Sequence, residues 1–302
     1  MARPTSATVI PYIVGISGPS SSGKTTLARL LKCVCDVDVS GSKCSVKLFI
    51  LYEDDFYKTN IDVPNVTVLS SKHGARELKD WDCIESLDLD RLGSALHYFK
   101  KHGMLPPRMV NKEGRNNVVD LGVSSSTVAN FRMAFKIWLE EFYYSSLSHT
   151  LLGDVSSVEI RVCILDGFLL YPKKPGSGTN DQMHAKLYNL TNTLLDLKLF
   201  LLSRREQTVR RRAQRMRYAT LKDFWDDPPG YVEDVVWPNY ENEHSWMFVN
   251  GNVAGMEIDQ ERVRDEGIIV DPGLADKGMG EILAWGLGWI KETLSARSRL
   301  KA

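Results

Sequence analysis

Eight consecutive residues, Gly18-Pro19-Ser20-Ser21-Ser22-Gly23-Lys24-Thr25, satisfy the pattern G-x-x-x-x-G-K-[ST] in full, and Thr26 follows directly. Small residues let the backbone curl so that successive N–H groups converge on phosphate oxygens. A helix opening near Gly23 aims the positive end of its dipole at the same anion. Lys24 then supplies a movable cation for the β- and γ-phosphates, and the Thr25 hydroxyl is suited to Mg2+. Gly18, Ser20, Ser21, Ser22, Gly23, Lys24, Thr25 and Thr26 are therefore the expected nucleoside triphosphate site. Such a loop also serves GTPase switches and motors. A guanine-reading N-K-x-D is missing, because Asn111-Lys112-Glu113-Gly114 lacks the aspartate, and Asp166-Gly167-Phe168 is not the D-x-x-G of a switch.

Phosphoryl transfer to a hydroxyl needs a carboxylate beside the acceptor oxygen. Asp54 and Asp55 follow an apolar run and can supply it; an acidic pair at a helix start or a solvated turn is the competing reading. Asp166 ends another apolar run, where a carboxylate holding Mg2+ is expected, against the alternative of a plain turn aspartate before Gly167. Seven arginines (204, 205, 210, 211, 212, 215 and 217) crowd one expected helix. Guanidinium groups neutralise charge on transferring phosphoryl oxygens, and so much like charge on one helix is strained by itself. A lid that orders over a triphosphate accounts for this; a nucleic-acid patch and a solvated face are the alternatives. Trp81-Asp82 offers an aromatic face for a planar base and a carboxylate for vicinal hydroxyls, although a tryptophan is more often core.

The elements that must position these groups alternate. Tyr12–Ile16 reads as a buried strand, the glycine loop follows, and Lys24–Lys32 reads as a helix. Further strands are expected at Val46–Leu51, Ile160–Leu165, Leu194–Leu202 and Gly267–Val270. Helices are expected at Asp88–Lys101, Phe131–Tyr144, from Ser203 with a capping box to Glu206, and from Met279 to Ser298. Pro106–Ser126 and Pro172–Thr179 read as loops, and Asp226–Pro238 as irregular. Alternation of this kind predicts one three-layer α/β domain with a central parallel sheet, helices on both faces and a lid segment.

Composition limits the alternatives. The chain has 302 residues, 43% apolar and 25% charged, with 38 basic and 38 acidic side chains. Zero net charge argues against a nucleic-acid or membrane-surface role. The longest apolar runs fall short of the roughly 20 residues that span a bilayer, and residues 1–8 show no secretory leader pattern. Five cysteines without a C-x-x-C pair read as reduced thiols in a cytoplasmic protein.

Taken together, Gly18–Thr25, Asp54-Asp55-Phe56-Tyr57-Lys58, Asp80-Trp81-Asp82, Asp166–Leu170, the arginine helix, Pro229-Gly230-Tyr231 and Val236-Trp237-Pro238-Asn239-Tyr240 resemble the nicotinamide riboside kinases, relatives of the uridine kinases. The resemblance runs from about Tyr12 to Tyr240. It implies a P-loop kinase fold, expected as one domain over residues 1–302 with a lid at about 204–231; the stretch at about 104–157 is longer than a compact family member needs and is an expected insertion. It implies Mg·ATP as donor and the 5′-hydroxyl of nicotinamide riboside, with nicotinic acid riboside as a second acceptor, as the site of phosphorylation. Asp54 would be the base, assisted by Lys24, Arg211, Arg212 and Arg215. Asp55, Trp81, Asp82, Arg215 and Tyr218 would contact the nucleoside, with Thr25 and Asp166 on Mg2+. Tyr218 stands one position out of register with the family's second aromatic, and the family often has Glu where Asp166 stands. The expected partner is a small ribonucleoside, with neither nucleic acid nor membrane, and the expected state a monomer or weak oligomer. Uridine or cytidine phosphorylation and a non-catalytic nucleotide-binding regulator are the rival readings; the regulator would be expected to lose Asp54 or Lys24, and both are present.

Overall fold

Runs of aliphatic residues without polar interruption suit parallel strands covered on both faces. The computed structural model describes residues 8–38, 43–70, 72–107, 109, 121–147, 157–176, 181–214, 218–219, 224–225 and 227–299. Its strands are β1 (Thr8–Ser17), β2 (Cys44–Tyr52), β3 (Asn65–Ser70), β4 (Gly74–Lys79), β5 (Val158–Asp166), β6 (Leu197–Phe200), β7 (Tyr218–Ala219), β8 (Phe224–Trp225) and β9 (Ile268–Val270). Five of them form a parallel sheet in the order β2-β5-β1-β6-β9. The register aligns Ile16 and Tyr52 with Asp166, so the chain leaves β1, β2 and β5 at one level of one edge. That edge is where an open α/β sheet places its ligands.

Among the described residues, eight helices accompany the strands: α1 (Lys24–Cys35), α2 (Leu89–His102), α3 (Ser125–Phe142), α4 (Gln182–Leu194), α5 (Arg205–Ala213), α6 (Trp237–His244), α7 (Gln260–Asp265) and α8 (Met279–Arg299). Side chains alternate across the sheet. Tyr12, Val14 and Ile16 face a core shared with α1, α3 and α8. Ile13, Leu165 and Phe200 face a second core shared with α2 and α4. These are the three layers that the sequence predicts. A small third cluster joins Val68 of the β3–β4 hairpin to Tyr231, Val232, Val235 and Val236. Arg76 fastens the same hairpin to Pro229 O at 2.9 Å and to Asp234 at 3.0 Å.

Four expectations need correction. The run Leu194–Leu202 is not one strand: Leu194 ends α4, with Leu195 N bonded to Thr191 O, and β6 begins at Leu197. Both pieces are buried, and periodicity does not separate a buried helix end from a buried strand. The capping box is absent, since Arg204 occupies the cap position without a side-chain bond and Ser203 Oγ lies 3.4 Å from Gln207. Val232–Val236 is not irregular but a wide helical turn that runs directly into α6. Finally, α3 starts at Ser125, capped by Ser124, and buries Phe135, Leu139 and Phe142 in the first core. This part of the expected insertion is thus built into the layer, while residues 110–120 and 148–156 lie outside the described ones. The five cysteines form no disulfide, and no described helix is long and apolar enough to cross a membrane.

His184, in the first turn of α4, ties that helix to α6. Its Nε2 lies 2.8 Å from Glu243 and its Nδ1 2.5 Å from Asp181. The hydrogen bond to Glu243, opposed by partial burial and reinforced by Asp181, pushes the imidazole up from 6.5 to about 9. A raised value means that the stabilisation is fully present below 6.5 and is lost as pH rises through about 9. Thermal melts of the parent and His184→Gln should therefore differ most near about pH 6 and converge above about pH 9.5. A gap independent of pH would contradict this assignment.

Candidate active site

The loop between β1 and α1 is shaped by residues that tolerate unusual backbone. Gly18 has φ 143° and Gly23 φ 100°, both left-handed. A Cβ on Gly18 would lie 2.2 Å from Leu201 O, so only glycine lets the loop pack against the end of β6. Gly23 occupies the cap position of α1 without a side-chain bond, which leaves the helix N-terminus facing the loop's concavity. Lys24 Nζ arches back over that concavity and donates to Gly18 O at 3.0 Å and Pro19 O at 2.9 Å. Thr25 Oγ1 donates to Asp166 Oδ2 at 2.5 Å, joining the loop to the end of β5.

Beyond β2, Glu53–Phe56 make a single 3-10 turn. This turn sets Asp54 half-buried and Asp55 buried, directly beside the wholly buried Glu53. Burial pushes the Glu53 carboxyl up to about 8, with neighbouring Asp54 adding to the shift and hydrogen bonds from the backbone of Leu169 and Phe168 opposing it.

Trp81 and Asp82 lie between the hairpin and α2. The Tyr231 hydroxyl accepts from Trp81 N and donates to Lys79 O, both at 3.0 Å. Asp82 N donates to Asp80 Oδ1 at 3.1 Å, and Asn239 Nδ2 donates to both oxygens of Asp80 at 2.8 and 3.0 Å. Tyr57 sets its ring edge-on to Trp81 at 5.4 Å and stacks with Phe168 at 6.2 Å. Trp81 is half-buried and belongs to none of the three hydrophobic clusters.

From the opposite side comes α5. Arg212 Nη1 reaches Ser20 Oγ at 3.0 Å and Asp82 Oδ1 at 3.2 Å, while Nε and Nη2 fork onto Asp227 at 2.7 and 3.1 Å. Arg211 Nη1 donates to Ser21 O at 3.2 Å. The helix therefore brings two of its arginines to the phosphate loop. Arg204 pairs with Asp276, and Arg205 and Arg210 are exposed. Arg215 and the side chain of Tyr218 lie outside the described residues.

Two concavities flank the loop. One is bounded by Ser22, Gly23, Thr26, Arg211 and the turn Asp271–Met279. The other is bounded by Ser20, Asp82, Phe168, Asn239 and His244. His244 Nδ1 lies 3.0 Å from Tyr240 O, so that nitrogen carries the proton. Burial lowers the ring from 6.5 to about 4 and keeps it neutral. Glu53, Asp80, Asn239, Asp227 and His244 are the site residues that sequence reasoning passed over. Glu53 stood in plain view beside Asp54, and Tyr231 and Asn239 lay within quoted motifs without an assigned role.

No protein-family model matches the chain. Nicotinamide riboside kinase of Schizosaccharomyces pombe is 34% identical over 248 residues, covering 82% of this chain and 85% of the relative. That of Saccharomyces cerevisiae is 30% identical over 245 residues, covering 81% and 82%. Human nicotinamide riboside kinase 1 is 25% identical over 229 residues, covering 76% and 74%. The glycine loop, the strand-end carboxylates and the arginine helix meet at one sheet edge in a chain with this depth and extent of similarity, and it belongs to the nicotinamide riboside kinase family.

Proposed function

We propose that this chain transfers the γ-phosphoryl group of ATP to the 5′-hydroxyl of nicotinamide riboside, yielding the mononucleotide used in NAD synthesis. Nicotinic acid riboside is a second acceptor in this reading. The observation that carries it is the convergence, at one edge of the sheet, of Thr25 and Asp166, Asp54, Asp82, Arg211 and Arg212. ATP lies with its phosphates in the Gly18–Thr26 cradle. The nucleoside lies on the side of Asp82 and Trp81, its ring against Trp81 and its vicinal hydroxyls on Asp82.

Asp54 orients the 5′-hydroxyl and accepts its proton as the bond to the γ-phosphorus forms and the bond to the ADP oxygen breaks. Lys24, Arg211 and Arg212 neutralise charge that grows on the phosphoryl oxygens, and a contact stronger in the transition state than in the ground state raises the rate. Residues 204–231 act as the lid, with Arg215 and Tyr218 closing on the nucleoside, and exclude water that would otherwise hydrolyse ATP. Thr25 and Asp166 offer adjacent hard oxygen donors, a set that fits Mg2+, and would hold it there. Bound Mg2+ supplies neutralisation of phosphate charge. Five cysteines without a disulfide support a reducing, cytoplasmic setting.

The test is ADP release by the purified protein with Mg·ATP and, in turn, nicotinamide riboside, uridine and cytidine. Turnover confined to nicotinamide riboside is expected, and preference for a pyrimidine nucleoside would overturn the substrate. Asp54→Asn should lower kcat by about 10²–10⁴-fold while leaving the melting temperature near that of the parent. Arg212→Lys keeps a cation but loses the fork, so kcat/KM should fall at least about tenfold, ~1.4 kcal/mol. An unchanged kcat/KM in that variant would remove Arg212 from the phosphate and ribose site.

A further inference from the structure

The turn that follows β5 is held by four successive backbone donors, and none of their partners belongs to the turn itself. Gly167 N donates to Ile16 O at 3.1 Å. Phe168 N and Leu169 N both donate to Glu53 Oε2, at 2.8 and 3.1 Å. Leu170 N donates to Ser17 Oγ at 3.3 Å. Two of the four bonds end on the last residues of β1, immediately before the phosphate loop. The other two bonds converge on one carboxylate oxygen at the end of β2, one residue before Asp54.

Close approach is built in. A Cβ on Gly167 would lie 2.6 Å from Glu53 Oε2, so a glycine at this position is what allows the carboxylate to reach the backbone. Glu53 is fully buried, and no hydroxyl or guanidinium is needed to explain its position. Adjacent Cα atoms are about 3.8 Å apart, so whatever fixes Glu53 fixes the point from which Asp54 projects. On the other side of the same bonds, Asp166 precedes Phe168 by two residues. Phe168 in turn stacks on Tyr57, which abuts Trp81.

We propose that Glu53 is a positioning residue for phosphoryl transfer, its Oε2 clamping the turn after Asp166 to the strand end that carries Asp54. The proposal rests on the kinase reading above. Glu53 touches neither nucleotide nor nucleoside in this role; it sets the distance between the carboxylate that serves the acceptor hydroxyl and the one beside Thr25. The requirement is geometric: an acceptor of glutamate length with two usable lone pairs.

Two variants separate side-chain length from the ionisable carboxyl group. Glu53→Gln keeps the reach and a carbonyl that accepts both N–H groups. Glu53→Asp keeps the carboxyl group but withdraws the oxygen by one methylene, about 1.5 Å, which breaks both bonds. With ADP release as the readout, Glu53→Gln should stay within about threefold of the parent kcat. Glu53→Asp should lose about 10²-fold in kcat, the scale expected for a 1 Å misplacement, with the KM values for ATP and nucleoside within about threefold. Melting curves for all three proteins show whether the loss exceeds any loss of folded material. The assay uses whichever nucleoside the parent phosphorylates, and ADP release without nucleoside is followed in parallel. A parent that prefers another acceptor therefore overturns the substrate reading while leaving this comparison intact. Glu53→Asp at parental kcat, Glu53→Gln as impaired as Glu53→Asp, or a loss that follows the unfolded fraction would each overturn the proposal.

Discussion

Ile16, Asp166 and Tyr52 lie abreast on three adjacent parallel strands, held level by the ladder that pairs β1 with β5 and β5 with β2. Parallel pairing fixes register through evenly spaced backbone bonds, and slipping one residue would turn every buried side chain to the wrong face. The chemistry therefore inherits its alignment from the core. Val14 and Ile16 on one face, with Ile13 and Leu165 on the other, lock the register. The phosphate loop, Asp166 and the Glu53–Phe56 turn emerge from that edge with their separations already set. Four backbone bonds from Gly167 to Leu170 then fasten the three chain segments to each other beyond the end of the ladder.

Charge is dense at this edge although the whole chain is neutral. Glu53, Asp54, Asp55, Asp82 and Asp166 crowd a region that has also to accept phosphates. Burial raises the Glu53 carboxyl, and Asp54 beside it acts in the same direction, which lightens the negative load on the floor of the site. Lys24 and the two arginines of α5 that reach the phosphate loop oppose the remainder. Arg212 is the most committed of these, since one guanidinium meets Ser20, Asp82 and Asp227. A planar five-donor fork can serve three acceptors at once, which an ammonium on a flexible stem does less well.

The third hydrophobic cluster connects this charge pattern to the nucleoside side. Val68 and Leu78 of the hairpin pack with Tyr231, Val235 and Val236, and Val209 of α5 joins them. Trp81 hangs from the Tyr231 hydroxyl, and Asp82 from Asp80 and through it Asn239. The arginine helix and the segment bearing Trp81 and Asp82 thus share one small apolar mass, so the two sides of the cleft are packed as neighbours.

Much of this was legible in order along the chain. The glycine loop was readable because phosphate binding constrains backbone and side chain within eight consecutive residues. The strands before Asp54 and Asp166 were readable because doubly covered strands need unbroken apolar runs. The arginine helix announced itself by an excess of charge that a solitary helix does not favour. The β3–β4 hairpin and α4 went unread, since their patterns are weak locally and their stability comes from Tyr231, Val235 and α2 far away in sequence. The break between α4 and β6 was hidden inside one apolar run.

By itself, then, the sequence determined the local chemistry: which residues could cradle phosphate, accept a proton or neutralise charge, and that strands and helices alternate to carry them. The tertiary structure alone decided which arginines reach the phosphate loop, that Glu53 serves the backbone of a turn 115 residues away, and that Asp80 and Asn239 support Asp82. The physical reason is range. Capping, loop curvature and periodicity are set by neighbours in the chain, whereas a buried carboxylate or guanidinium takes its partners from whatever the packed sheet brings within about 3 Å.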